Sequence, residues 1–236
     1  ENVVNYRKKQ GYNMVAMISC YPNWAADEHP NEIVDEKGIG IRQAWEKFGN
    51  STAKDMHDEL GNRPFALYNG GPMANFDQIN PDYFKSLDKK FDHLDSVGFV
   101  PFLETVRRDH GPSWKAYFDW PNSFVRYIQY VVARYGSYNL IFSPGHLDWF
   151  PPIHTLSADE FNEAFVAWYE KYGELPYGQP VTTLINGGTH TRIGTGDKVP
   201  WLTMHTVGNN PRNHGFYPML EEQFALGKPA ANLEPY

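Results

Sequence analysis

The feature that most constrains this chain is an alternation, met four times, of amphipathic helix, glycine and short apolar run. Asn80 can cap a helix opened by Pro81, in which Phe84, Leu87, Phe91 and Leu94 fall on one face; Gly98 stops it and Phe99 to Glu104 follows as an apolar run. Asn122 to Tyr135 buries Phe124, Ile128, Val131 and Val132, ends at Gly136, and leads to Asn139 to Ser143. Ser157 and Glu160 have capping-box spacing ahead of Phe161, Phe165, Trp168 and Tyr172, with Gly173 and then Val181 to Ile185 beyond. Met219 to Leu226 stops at Gly227 before Ala230 to Glu234. Two further runs, Tyr12 to Ile18 after a helical Val3 to Gln10, and Trp201 to Val207, bring the strand candidates to six. Nearly continuous apolar strands between amphipathic helices describe a parallel sheet covered by helices.

An open doubly wound sheet would carry a glycine-rich phosphate turn after a strand, and none is present: Asn186-Gly187-Gly188 leads to Thr189 and His190, not to a G-x-G-x-x-G helix. The expected fold class is therefore α/β, a (β/α)8 TIM-type barrel of which strands two to seven are visible, read as a single domain over 1–236 and a fragment of a longer protein. The segment 19–77, rich in Gly, Asn, Pro and charge, is expected to be a long loop excursion over the active-site face.

A net charge of −7 with no basic run beyond Arg7-Lys8-Lys9 excludes a nucleic-acid footprint or an anionic membrane surface as partner. No run of eighteen apolar residues occurs, so no membrane span is expected, and nothing in the sequence sets an oligomeric state. Cys20, the single cysteine, has no partner for an internal disulfide and reads as a buried small apolar residue. Nine histidines are present without H-E-x-x-H, H-x-H or Cys clustering, so neither a metal nor another cofactor is expected. No G-x-S-x-G elbow follows a strand, which argues against a serine nucleophile. Aromatic residues make up 16% of the chain, many in loop-like stretches where ring faces such as those of Trp24, Trp114, Trp149 and Trp201 suit carbohydrate or serve as loop packing.

In a barrel the functional side chains project from the C-terminal ends of the strands, which narrows the acidic candidates. Glu234 ends the last apolar run beside Pro235 and Tyr236, and is the candidate nucleophile. Asp148, between Leu147 and Trp149, is the candidate general acid/base. Glu104 ends its run shortly before Arg107 and Arg108 and could meet substrate or form a structural ion pair. His146, His190 and His205 lie at or after strand ends and suit hydroxyl binding, or are satisfied structural histidines. Trp149, Tyr236 and Asn13 complete the expected substrate contacts.

Certain segments have a familiar order: Tyr6-Arg7 with Gly11-Tyr12-Asn13, Asn80 to Phe84, Ala133-Arg134-Tyr135 before Asn139 to Phe142, and Lys228-Pro229 with Glu234-Pro235-Tyr236. More loosely, so do His190 and the stretch Trp201 to Asn210. In these the chain resembles the apiosidase-like glycoside hydrolases, a (β/α)8 family of polysaccharide-degrading bacteria. The resemblance implies hydrolysis by a carboxylate after the fourth strand and a Glu on the seventh, the latter matching Glu234, and a periplasmic or secreted location. The fourth-strand motif departs: where the family has apolar-Gly-Gly-Asp, this chain has Pro144-Gly145-His146-Leu147, with Asp148 one place late. Either Asp148 reaches the same place through a bulge or His146 replaces the acid. The expected function is a glycoside hydrolase acting on a plant or algal polysaccharide or a derived oligosaccharide. The alternatives are a polysaccharide lyase, with His146 or His205 as base and Arg107, Arg108 or Arg192 neutralising a uronate, and a non-catalytic carbohydrate-binding barrel.

Overall fold

A computed structural model describes residues 2–20, 58–70, 74–147, 156–208 and 216–233. Helix α1 (Asn2–Lys9) turns through Gly11, at φ 90°, into strand β1 (Met14–Cys20). A short antiparallel hairpin, β2 (Phe65–Leu67) and β3 (Ala74–Ile79), precedes α2 (Pro81–Ser96), whose cap is Asn80: its side chain accepts the Asp82 amide at 3.1 Å. Strand β4 (Val100–Val106), α3 (Gly111–Tyr117), α4 (Asn122–Tyr135) and β5 (Ile141–Ser143) follow. Helix α5 (Ala158–Tyr172) opens on the expected capping box, with Ser157 and Glu160 bonding each other's backbone amides. The chain then passes β6 (Gly187–Gly188), α6 (Thr189–Arg192), β7 (His205–Gly208), α7 (Phe216–Phe224) and β8 (Ala230–Asn232). No described helix is long and apolar enough to cross a membrane.

The six expected runs lie side by side in chain order. β1 pairs with β4 from Met14↔Val100 to Cys20↔Val106, and β4 pairs with β5 from Phe102↔Ile141 to Glu104↔Ser143, both parallel. The fourth run, expected as a strand over Val181 to Ile185, is instead a broken ladder, bridged in parallel at Phe142↔Val181 and Leu147↔Ile185. The reason is Pro144, which has no N–H to donate where the two stretches face each other. The gap is closed by a hydroxyl, Thr183 Oγ1 donating to the Gly145 carbonyl at 2.5 Å. Similar hydroxyl bonds stitch the neighbouring strands: Ser19 to the Thr105 carbonyl at 2.7 Å, Thr105 to that of Pro144, and Thr206 to that of Thr183 at 2.6 Å. β7 joins the fourth run through Asn186↔Gly208 and pairs in parallel with β8. The fifth run is shorter than expected, because Trp201 and Leu202 turn into the core: Trp201 is fully buried and its indole N–H bonds Asn162 Oδ1 at 2.8 Å.

The core lies between this curved sheet and α2, α4 and α5, and is built largely of rings. Phe91 stacks on Tyr135 at 4.1 Å between centroids, and Phe142 meets Trp168 at 5.8 Å. The described part of 19–77 differs from a loop excursion: Phe65 and Phe76 of the hairpin are buried against each other, and Trp114 of α3 stacks on Phe76 at 4.0 Å. This stretch is a packed wall of the domain because its two strands each turn an aromatic ring inward. Residues 21–57 and 71–73 lie outside the described residues. Trp114 and Trp201, weighed as sugar platforms, are both core residues at 0% exposure, and Trp24 falls outside the described residues.

Candidate active site

The exits of β4 and β5 bring together residues that are 42 positions apart in the chain. Glu104 stands level with Ile18 and Ser143 in the sheet. Beyond the Pro144 break the backbone of residue 146 rejoins the end of β4: the His146 N–H donates to the Val106 carbonyl at 2.8 Å and the Arg108 N–H to the His146 carbonyl at 2.9 Å. This places the His146 ring against Glu104, with Nδ1 2.5 Å from Oε2. Both side chains are buried, at 2% exposure for Glu104 and 6% for His146. A carboxylate withdrawn from water this far needs a donor, and the imidazole N–H supplies it. The second oxygen, Glu104 Oε1, is buried without a hydrogen-bond partner among the described residues. Arg107, Arg108 and His110 continue the polar turn after β4, His110 Nδ1 lying 3.1 Å from the Arg107 carbonyl.

Two other histidines form a separate cluster with α7. His205 is buried, its Nδ1 2.9 Å from Thr189 Oγ1, and that hydroxyl reaches Gln223 Oε1 of α7 at 3.3 Å. His190 Nε2 lies 3.7 Å from Glu222 of the same helix. Gly188 lets these side chains close in: a methyl group on it would stand 2.7 Å from His190 Nδ1 and 2.9 Å from Gln223 Nε2, so one of them would have to shift. Burial, followed by Lys228 and His190, holds the His205 imidazole below its ordinary pKa. Asn13, expected to touch substrate, is exposed just before β1, where its carbonyl accepts the Val100 N–H at 2.8 Å; it lies at the sheet end opposite to Cys20 and Val106, and does not join the Glu104–His146 pair. Glu234, Asp148, Trp149 and Tyr236 lie outside the described residues. The last described residue of the Glu234 run, Leu233, still bonds the sheet through its N–H to the Val207 carbonyl at 3.3 Å.

The sequence matches the model of the apiosidase-like catalytic domain over residues 1–211. The chain belongs to this family. Solved structures with the same fold include a protein of Bacteroides vulgatus ATCC 8482 described as a glycoside hydrolase, at 18% identity and TM-score 0.54, covering 93% of this chain and 37% of that one. A glycoside hydrolase family 5 protein of the same organism matches at 17% identity and TM-score 0.58, covering 99% of this chain and 45% of that one. The apiosidase-like domain described here thus spans less than half the length of either structure. No curated protein matches it. Its fold is the (β/α)8 type, present as an incomplete barrel of parallel strands wrapped by helices.

Within the apiosidase-like domain, the pairing of Glu104 with His146 is the part of the site that the sequence does not announce. Each residue stands out singly as a strand-end polar group, but their contact depends on the β4–β5 register and on where the chain resumes after Pro144. Arg108 and His110, at 3% and 1% exposure, are buried in the turn after β4 although neither lies in a periodic stretch that would have signalled burial.

Proposed function

We propose that this apiosidase-like domain hydrolyses glycosidic bonds in a plant or algal polysaccharide, or in an oligosaccharide derived from one, at the C-terminal exits of its strands. The observation that carries the reading is the buried Glu104–His146 contact at the exits of β4 and β5. Two adjacent titratable groups held out of water at strand ends of this fold are of more use to chemistry than to stability. Glu234, which follows the β8 run, attacks the anomeric carbon or activates water there, and a group after β5, Asp148 or His146, protonates the leaving oxygen. On the family resemblance alone, we place it in the periplasm or the medium.

The test is release of reducing ends from a panel of plant and algal glycans by the full protein, beside Glu234→Gln and Asp148→Asn. Loss of at least about 100-fold in kcat on Glu234→Gln is expected for removal of a reacting carboxylate. Full activity in that variant would discard the assignment. Arg107 and Arg108, whose backbones flank that of His146, favour one second reading, β-elimination on a uronate. Product absorbing in the ultraviolet, with no gain of water, would establish elimination instead.

A further inference from the structure

We propose that the cavity between the C-terminal ends of α4 and α5 is a second glycan-binding site, which holds a short stretch of a neutral polysaccharide on the side of the sheet away from the strand exits. The choice of ligand rests on the hydrolytic reading above; the site itself is built from other residues. α4 ends at Tyr135, where the chain turns towards β5, and α5 ends at Tyr172, where it turns towards Val181. The cavity therefore opens where these strands begin, whereas Glu104 and His146 stand where they end. Its volume of about 360 Å³ lies at the low end of small-ligand pockets, enough for about one or two sugar rings. Gln129, Ser137, Trp168, Tyr172, Glu174 and Tyr177 line it. Tyr172 is 39% exposed and Tyr177 75%, so two rings are open to a ligand, while the buried Trp168 closes the wall behind them.

The walls are fixed before any ligand arrives. The buried Gln179 amide donates to the Gly136 carbonyl at 2.5 Å and to that of Tyr138 at 3.3 Å, and its Oε1 accepts the Tyr177 N–H at 3.1 Å. The loop after α5 is thus tied to the end of α4, and little order is lost when a ligand binds. Trp168 donates to Gln129 Oε1 at 3.2 Å, which sets the Gln129 amide nitrogen as a donor beside the Ser137 and tyrosine hydroxyls and the Glu174 carboxylate. Aromatic rings for the C–H side of a sugar, with donors and acceptors for its hydroxyls, make a wall of the right chemistry. Charge selects against other ligands. Among the described residues the lining holds no Lys, Arg or His, it carries Glu174, and the negative ends of two helix dipoles meet there, so an anion is repelled. A cation meets Lys171, which lies over the Tyr172 ring with Nζ 5.3 Å from its centroid. A neutral, hydroxyl-rich chain suffers neither penalty, and a polymer held here raises the effective concentration of its own further segments at the strand exits.

The experiment is affinity electrophoresis of the full protein in native gels containing arabinoxylan, xyloglucan or galactomannan, with polygalacturonate as the anionic comparison, beside the double variant Tyr172→Ala/Tyr177→Ala. Retardation by at least one neutral polymer is expected, and the double variant should lose about 5-fold or more of that affinity, the worth of two ring contacts. Its kcat/KM should fall by a similar factor on the polymer, yet stay within about 2-fold of the wild type on the shortest soluble substrate cleaved, which reaches the strand exits unaided. Hydrogen exchange of the wild-type protein gives an arm that needs no variant: segment 172–178 should exchange more slowly when oligosaccharides of the retarding polymer are present. No retardation by any neutral polymer, retardation by polygalacturonate alone, equal retardation of the double variant, or unchanged exchange over 172–178 would each overturn the proposal. Loss of retardation in the double variant of a protein that releases no reducing ends would leave the site in place and remove the hydrolytic reading. Release of reducing ends, with retardation and exchange indifferent to the two tyrosines, would do the reverse.

Discussion

At the scale of single residues, His205 shows what burial does to a base. The unfolded chain takes up a proton on this imidazole near pH 6.5, whereas in the native state burial, Lys228 and His190 hold its pKa lower. Between those two values the unfolded state binds more protons, so stability falls as pH drops below about 6.5. Urea midpoints measured from pH 7.5 to 5 should therefore decline, and His205→Gln, which can still meet Thr189 Oγ1, should decline less. At Cys20 burial pushes the thiol pKa up, against the hydrogen bonds from Tyr127 and Ser19, which explains why the lone cysteine behaves as the small apolar residue its sequence context suggested. Glu104 and His146 were legible one at a time, since each ends or follows an apolar run. Their contact was not, because strand register is a property of two segments and no pattern in either one records it.

At the scale of elements, the sequence spoke most clearly where one residue has one local job. Asn80 and Ser157 cap the helices they were expected to cap, and Gly98, Gly136, Gly173 and Gly227 stand just past the ends of α2, α4, α5 and α7. Ser157→Ala should cost about 1 kcal/mol, read as a lower urea midpoint with an unchanged slope, because the Glu160 amide loses its acceptor. Strands were less legible than helices. The fourth run kept its place beside β5 but lost its regular ladder at Pro144, and the fifth began four residues late because Trp201 was needed in the core. The hairpin of β2 and β3 escaped notice for a different reason: its strands are short, their register shifts between Phe65 and Ala66, and alternation over three residues is too brief to distinguish from a loop.

At the scale of the whole molecule, the hairpin, α3 and α4 are riveted together by one ring. Trp114 stacks on Phe76, meets Phe124 at 4.9 Å, and donates its indole N–H to Ser123 Oγ at 2.7 Å, while Ser123 in turn donates to Asp77 Oδ1 at 2.6 Å. Trp114→Ala should destabilise the domain by about 3–5 kcal/mol, since it opens a large cavity and strands a hydroxyl; calorimetry giving less than about 1 kcal/mol would mean that the wall can collapse around the gap. The other side of the sheet is less guarded. Among the described residues β1 pairs with β4 alone, and its first residues Met14 and Ala16 are exposed. The other flank of the seven-residue β1 is the position at which a barrel of this type adds its next parallel strand, so the hydrogen-bonding groups along it are the ones such a neighbour would meet.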